Sequence, residues 1–197
     1  MRLAPPLIAL GGRLRSGKDV VADWLVEKHG FVKIGMSDAL HEAMLAIDPI
    51  IDEHAVAADE GVLVHRIHYS EAIASEGYVE AKKRPEVRRL LQNLGTEVGR
   101  DMIGENVWVN IMARKIDDHR GAGHPVVVTG IRFPNEVQMV RDLAGTAVWI
   151  ERPGEHAPTS TAAAHPSETS VQSSDFDDVI VNDGSLGELQ AKASELV

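Results

Sequence analysis

The sequence predicts an α/β fold of three layers, in which about five mainly parallel strands form one sheet with helices on both faces. Short apolar runs typical of buried strands alternate along the chain with longer amphipathic stretches typical of helices. The run at 125–129 is rich in β-branched residues, as a central strand of a parallel sheet is. A glycine-rich loop at 11–19 joins the first apolar run to the first helical stretch, which is a strand-to-helix connection.

The predicted elements alternate in a regular order. Strands are predicted at 7–10, 31–34, 125–129, 146–150 and 176–181. Helices are predicted from Lys18 to a stop at Gly30, from Ser37 or Asp38 to Ile47, from Pro85, over 106–119, from a cap at Asn135, and from the capping box of Ser185 with Glu188. We expect a single domain over 1–197, since no linker or internal repeat interrupts the sequence.

Residues 48–82 are the least regular part of the sequence. They contain His54, His65 and His68 among several acids, but no pair has the spacing of metal ligands. We therefore expect solvated helix and loop here, as an insertion on the substrate side of the fold.

The helix that starts at Pro85 has two distinct faces. Apolar residues at helical spacing predict a core face formed by Val87, Leu90, Leu91, Leu94 and Val98. The opposite face carries Arg88, Arg89, Gln92, Thr96 and Arg100. From helical periodicity alone, this second face is predicted to be exposed to solvent. The alternative is a ledge of arginine and amide groups that binds a phosphate and a base.

Composition and charge exclude several classes of function. The chain has 20 basic and 30 acidic residues, a net charge of −10, whereas a nucleic-acid backbone requires a basic face. We therefore expect no direct binding of nucleic acid. The absence of cysteine excludes disulfides, thiolate catalysis and cysteine-based zinc sites. No apolar run approaches the ~18 residues of a membrane span, so we expect no membrane association and a cytoplasmic location.

The loop at 11–19 has the spacing of a phosphate-binding loop. Gly12, Gly17 and Lys18 form the pattern G-x-x-x-x-G-K, in which curled backbone presents N–H groups to an anion and the next helix adds its positive end. The candidates for the phosphate contacts are Gly12, Arg13, Arg15, Ser16, Gly17, Lys18 and Asp19. Asp19 replaces the usual Ser or Thr, and its carboxylate can hold Mg²⁺ directly or through water. The alternative is a glycine-rich turn with a solvated lysine.

Two arginines follow predicted strands. Arg132 comes after the strand at 125–129 and Arg152 after the strand at 146–150. Loops that follow strands supply the ligand groups in parallel α/β sheets. We expect both arginines to meet phosphates and, with Lys18, to form the catalytic set. Residues 152–168 are predicted to be a lid-like segment with Glu168 near its far end.

Taken in order, these stretches resemble the bacteriophage deoxynucleoside monophosphate kinases. The resemblance is carried by residues 15–19, 88–97, 108–109, 132–136, 152–154, 165–168 and 179–186. It covers most of the chain outside residues 48–82. The loop with its unusual aspartate is also similar to that of animal-type phosphomevalonate kinases.

The resemblance implies a P-loop NTPase fold of the NMP-kinase type. It implies that residues 12–19 bind ATP. It implies transfer of the ATP γ-phosphate, with Mg²⁺, to a deoxynucleoside monophosphate for DNA synthesis, in the host cytoplasm if the protein is phage-encoded. It also implies that the monophosphate is surrounded by Arg89, Gly95, Thr96, Trp108, Arg132 and Glu136. Gln92 and Arg100 on the ledge, and Glu168, are further candidates for substrate contacts. The accepted bases, the sugar preference and a homodimeric state are left open.

One departure from the family concerns the metal. Family members often carry an aspartate two residues before the strand-end arginine, where this sequence has Gly130. Asp19 is therefore expected to carry more of the interaction with Mg²⁺. Three alternatives stay open: another small-molecule kinase such as one acting on phosphomevalonate, a nucleotide-binding regulatory module without turnover, and a structural protein with an idle loop.

Overall fold

A computed structural model describes residues 4–58, 61–154 and 170–197. The chain divides into two compact units. The first unit comprises Met1–Met36 and Val109–Val197, and the second unit comprises Ser37–Trp108. The single domain expected over 1–197 stays a prediction.

The described elements are these, in chain order: β1 (Leu7–Gly11), α1 (Lys18–His29), β2 (Val32–Gly35), α2 (Asp38–Ile47), β3 (Ile50–Ala58), β4 (Gly61–His68), α3 (Tyr69–Glu76), α4 (Tyr78–Ala81), α5 (Pro85–Asn93), a π-helical segment (Leu94–Ile103), α6 (Val107–Gly121), β5 (Val126–Thr129), α7 (Pro134–Asp142), β6 (Thr146–Glu151), a 3₁₀ turn (Ser173–Asp175), β7 (Asp178–Val181) and α8 (Leu186–Ser194). No helix in these ranges is long and apolar enough to cross a membrane.

The first unit is built on a five-stranded sheet of order β2-β5-β1-β6-β7. Every neighbouring pair of strands is parallel. The sequence predicted these strands because each is a short apolar run, and β1 and most of β5 are buried. The predicted parallel α/β sheet is confirmed.

Side chains alternate between the two faces of the sheet and meet a different helix pair on each face. On one face Leu7 and Val126 pack with Met112 of α6 and Val137 of α7. On the other face, strand residues such as Leu10 pack with α1 and α8. The predicted three layers are therefore present in the first unit.

The second unit contains an antiparallel hairpin that the sequence analysis missed. Strands β3 and β4 pair along their length, with Val56 opposite Leu63. The expectation of helix and loop over 48–82 was therefore wrong for 50–58 and 61–68, although α3 and α4 follow. Alanines and charged residues in β3 have low β-propensity, so the strand is specified by its cross-strand partners rather than by its own composition. A small core around Tyr69 and Val87 supports the hairpin base and α5.

Two local predictions about helices are corrected by the structure. The apolar face of the helix that begins at Pro85 packs in the core as far as Leu94, as predicted, but Val98 is 38% exposed. The π-helical segment has more residues per turn than an α-helix, and this rotates the later side chains away from the core. Asn135 is the second residue of α7 rather than its cap. The Glu136 side chain, in the first turn of α7, accepts two backbone N–H groups that precede the helix, as described below.

Candidate active site

The phosphate-binding loop has the curled backbone that an anion site requires. Gly12 and Gly17 have φ values of +133° and +107°, and Arg15, which is not glycine, has a φ of +64°. The Ser16 N–H donates to the Arg13 carbonyl at 3.2 Å, which closes the turn. Alternation of right-handed and left-handed conformations turns successive N–H groups toward one side and makes a nest for an anion. The loop leads directly into α1, whose N-terminal N–H groups extend the same positive region.

Neighbouring elements hold the loop closely. A Cβ at Gly12 would overlap the Ile150 carbonyl oxygen of β6 and lie 2.8 Å from the Ser16 hydroxyl. The Asn182 side chain, just after β7, donates to the Ser16 carbonyl at 2.9 Å. Ser16 is 2% exposed, and its hydroxyl has no hydrogen-bond partner among the described residues. A buried unpaired hydroxyl within an N–H nest fits a site that is completed by a phosphate.

Charged side chains surround the start of α1. The Lys18 ammonium donates to the Arg13 carbonyl at 2.5 Å, so the lysine side chain folds over the loop. Asp19, in the first turn of the helix, is 3.2 Å from the ammonium of Lys33 on β2. Lys33 also binds Asp23 at 2.9 Å. Burial lowers the pKa of Lys33, but hydrogen bonds and charge from the two aspartates outweigh it, so its pKa lies above the ordinary value.

Arg132 and Arg152 lie at the same edge of the sheet as the loop. They follow β5 and β6, which flank β1 in parallel, so all three strands deliver their carboxyl ends to one edge. Both arginines are exposed. Glu136 is 6% exposed and accepts the backbone N–H groups of Arg132 at 2.7 Å and Phe133 at 3.1 Å. Its carboxylate therefore shapes the Arg132 loop, and its direct contact with substrate stays a prediction.

The other predicted substrate residues lie in the second unit. Arg89 on α5 forms a bidentate pair with Glu86, whose pKa it lowers by hydrogen bonding. Arg100 in the π-helical segment is only 12% exposed and lies 3.6 Å from Glu105. Gln92 and Thr96 are half-buried. These four side chains therefore belong to α5 and its π-helical continuation, and their role in binding substrate stays a prediction.

Gly95 and Trp108 make a structural contact within the second unit. The indole N–H of Trp108 donates to the Gly95 carbonyl at 2.8 Å, and a Cβ at Gly95 would lie 3.4 Å from Leu40. A Cβ at Gly99 would overlap the indole ring. The Trp108 ring is thus packed against the backbone of the π-helical segment. Glu168 lies outside the described residues, and so does most of the lid-like segment predicted over 152–168.

The structure adds three groups that the sequence analysis did not select. Asn182 holds the loop, and Lys33 binds the aspartate predicted to hold the metal. In the second unit, the His41 ring lies 2.8 Å from the fully buried Tyr69 hydroxyl and packs against Tyr78. Burial raises the pKa of Tyr69 to about 12 and is the main cause that lowers the pKa of His41. Each contact joins residues distant in sequence, so no local pattern indicates it.

A family model described as deoxynucleotide monophosphate kinase matches residues 35–193. This chain belongs to that family. It is 25% identical over 204 aligned residues to an Acanthamoeba polyphaga mimivirus protein that bears the same family name, covering 94% of this chain and 93% of that protein. Identity to the deoxynucleotide monophosphate kinase of Escherichia phage RB69 is 32%, over 56% of this chain and 44% of that protein. For the deoxynucleotide monophosphate kinase of Enterobacteria phage T4 the identity is 33%, over 54% of this chain and 43% of that protein.

Solved structures of other proteins have a fold similar to that of this chain. TT1252 from Thermus thermophilus aligns with a TM-score of 0.54 at 17% identity, over 99% of this chain and 100% of that chain. A sugar kinase from Janibacter sp. HTCC2649 aligns with a TM-score of 0.52 at 13% identity, over 98% and 94%. At these identities the likeness concerns the fold alone. Family membership makes the chain an ATP-dependent phosphotransferase that acts on a small nucleotide.

Proposed function

We propose that this kinase transfers the γ-phosphate of ATP to the 5′-phosphate of a deoxynucleoside monophosphate, giving ADP and a deoxynucleoside diphosphate for DNA synthesis. The observation that carries the proposal is the curled loop with Lys18, at the edge of a parallel sheet where Arg132 and Arg152 also emerge. The family match, which spans residues 35–193, supports the choice of acceptor.

ATP binds through the loop in this proposal. The N–H groups between Gly12 and Lys18 bind the β- and γ-phosphates, and the Ser16 hydroxyl has no other hydrogen-bond partner among the described residues. Lys18 leaves the Arg13 carbonyl and moves onto the terminal phosphates. Because a phosphate is a charged acceptor, a charge-assisted bond to it is stronger than the bond to a neutral carbonyl.

The residues present fit a Mg²⁺ ion at the start of α1. Asp19 occupies the position of the usual hydroxyl ligand, and its side chain is 81% exposed, so its carboxylate is accessible to a solvated ion. When bound, the ion neutralises charge on the triphosphate. Gly130 offers no side chain at the position where family members often carry a second carboxylate, so Asp19 takes the larger share.

The transfer requires charge neutralisation rather than a general base. An oxygen of the acceptor phosphate forms the new bond to the γ-phosphorus, while the bond from that phosphorus to the β-γ bridging oxygen breaks and ADP leaves with the electron pair. The acceptor oxygen is already anionic, so no proton has to be removed. Arg132 and Arg152 offset the charge that builds up between donor and acceptor. The ledge residues Arg89 and Arg100 hold the monophosphate.

The test is a coupled ADP-release assay against dAMP, dCMP, dGMP, dTMP, their ribo forms and hydroxymethylated forms, with phosphomevalonate as a chemically distinct acceptor. Release that depends on a deoxynucleotide supports the proposal, and release that depends only on phosphomevalonate overturns the acceptor. Nucleotide binding without any acceptor-dependent release favours a regulatory module.

Single-residue variants test the roles proposed for Lys18 and Arg132. Lys18→Ala is expected to fold normally and lose most turnover, whereas Lys28→Ala, which removes an exposed lysine paired with Glu27, is the matched control. Arg132→Ala is expected to lower kcat more than ATP affinity, with the exposed Arg114→Ala on α6 as its control. A near-normal kcat/KM in Lys18→Ala, or a change confined to ATP affinity in Arg132→Ala, contradicts the assigned role.

A further inference from the structure

Lys33 is a cation shared between two carboxylates of the nucleotide-binding helix. Its ammonium lies 3.2 Å from Asp19 and 2.9 Å from Asp23, which are one helical turn apart on α1. The Lys33 side chain is 31% exposed, whereas those of Asp19 and Asp23 are 81% and 69% exposed. The Lys33 side chain is thus the least exposed of the three.

This arrangement follows from the residue that replaces the usual hydroxyl. A Ser or Thr at position 19 would carry no charge and would need no counter-ion. The carboxylate of Asp19 carries a negative charge at the mouth of the loop, and Lys33 balances it when nucleotide is absent. A divalent cation that binds Asp19 must share the carboxylate with this ammonium or displace it, since two cations compete for the same carboxylate oxygens.

We propose that Lys33 competes with the divalent metal for Asp19, and that Asp23 is the partner to which the ammonium withdraws when the metal–nucleotide complex binds. The proposal rests on the proposed function in placing the metal at Asp19. Because Lys33 already lies closer to Asp23, withdrawal breaks one ion pair and keeps the other. The affinity for the metal therefore depends on how Lys33 is shared: its contact with Asp19 weakens metal binding, and its contact with Asp23 favours metal binding.

The two neighbours of Asp19 are expected to act in opposite directions. Lys33→Met keeps the aliphatic stem but removes the positive charge beside the metal, so Mn²⁺ binding becomes about three- to tenfold tighter. Asp23→Asn removes the charge that attracts Lys33 away from Asp19, so Mn²⁺ binding becomes about three- to tenfold weaker. A simple surface ion pair that only ties β2 to α1 would move stability and leave metal affinity unchanged in both variants.

The experiment measures bound Mn²⁺ by electron paramagnetic resonance, with the full chain and a saturating non-hydrolysable ATP analogue. The comparison includes wild type, Lys33→Met, Asp23→Asn, Asp19→Asn and, as a control, Lys28→Met, which removes an exposed lysine paired with Glu27. Thermal melts check that each variant is folded. Opposite shifts in Lys33→Met and Asp23→Asn, with no shift in Lys28→Met, support the proposal.

The outcomes separate this proposal from the proposed function. Unchanged or weaker Mn²⁺ binding in Lys33→Met overturns the competition. Normal Mn²⁺ binding in Asp19→Asn, with normal nucleotide binding, places the metal elsewhere and overturns the inference while the kinase assignment stands. If the wild type binds neither the analogue nor Mn²⁺, the nucleotide site itself is wrong and both proposals are overturned.

Discussion

Replacing Gly12 with alanine tests the geometry on which nucleotide binding depends. Gly12 has a φ of +133°, in a region that L-residues rarely adopt, and its missing Cβ is where the Ile150 carbonyl of β6 lies. The obstacle is backbone of a buried strand, so it cannot move aside as a flexible side chain would. The added methyl group must therefore displace the loop.

The expected cost comes from two sources. Backbone strain at such a φ is about 1–3 kcal/mol. Overpacking against a fixed neighbour adds about 1–3 kcal/mol. The total is about 2–6 kcal/mol, a large fraction of the ~5–15 kcal/mol that stabilises a typical domain. If the loop moves and relieves part of this strain, about 2 kcal/mol of the cost appears in binding, which is a loss of about 30-fold in ATP affinity.

The assay pairs urea unfolding, followed by circular dichroism, with titration of a fluorescent ATP analogue. Gly30→Ala is the matched control, because Gly30 also has a positive φ, +69°, but nothing lies within 4 Å of its missing Cβ. The control is expected to lose about 1–2 kcal/mol of stability and no affinity. A Gly12→Ala protein that unfolds at the wild-type urea concentration and binds the analogue within about twofold of wild type would refute the reasoning.

Three further predictions concern other parts of the molecule. Gly99→Ala is expected to push the Trp108 indole off its backbone acceptor and cost about 1–3 kcal/mol in urea unfolding; an unchanged midpoint would contradict the packing. Glu136→Ala removes the carboxylate that accepts two loop N–H groups, so kcat should fall in the same direction as in Arg132→Ala, and a kcat equal to wild type would show that the loop holds its shape without it. Burial lowers the pKa of His41 in the folded state, so its contribution to stability is present above the unfolded value of about 6.5 and lost as pH falls below it. Urea midpoints at pH 7 and 5.5 should therefore differ less in His41→Gln than in wild type, and equal differences would refute this.

Much of the first unit could be predicted because its signals are local. The strands are short apolar runs in the sequence. The run that forms β1 is buried over its whole length, as its apolar composition indicates. Gly30 ends α1 with a left-handed φ, as its position after the last apolar residue indicates. Ser185 and Glu188 form the predicted capping box at α8, with hydrogen bonds of 3.3 and 2.6 Å.

The failures occur where long-range pairing decides the structure. In β3 the sequence Ile-Ile-Asp-Glu-His-Ala-Val-Ala-Ala lacks clear alternation, and its ladder hydrogen bonds come from the partner strand β4. Val98 is exposed because a π-helical segment changes the residue count per turn, which no apolar period reveals in advance. The cap at Asn135 was misplaced because α7 begins one residue earlier, at Pro134, which suits the first helical position, and Phe133 is the residue that precedes the helix.

The charge distribution around the loop explains why an aspartate is tolerated at position 19. A carboxylate in the first turn of a helix is stabilised by the positive end of that helix, so Asp19 fits α1 without any metal. The same carboxylate would repel an incoming triphosphate if it were unpaired. Lys33 removes that repulsion by holding Asp19 from the neighbouring strand, and it does so from a side chain anchored in the sheet. The negatively charged residue at the phosphate-binding loop is thus accompanied by a cation from β2, and the charge of residue 33 contributes to the electrostatics of the predicted nucleotide site.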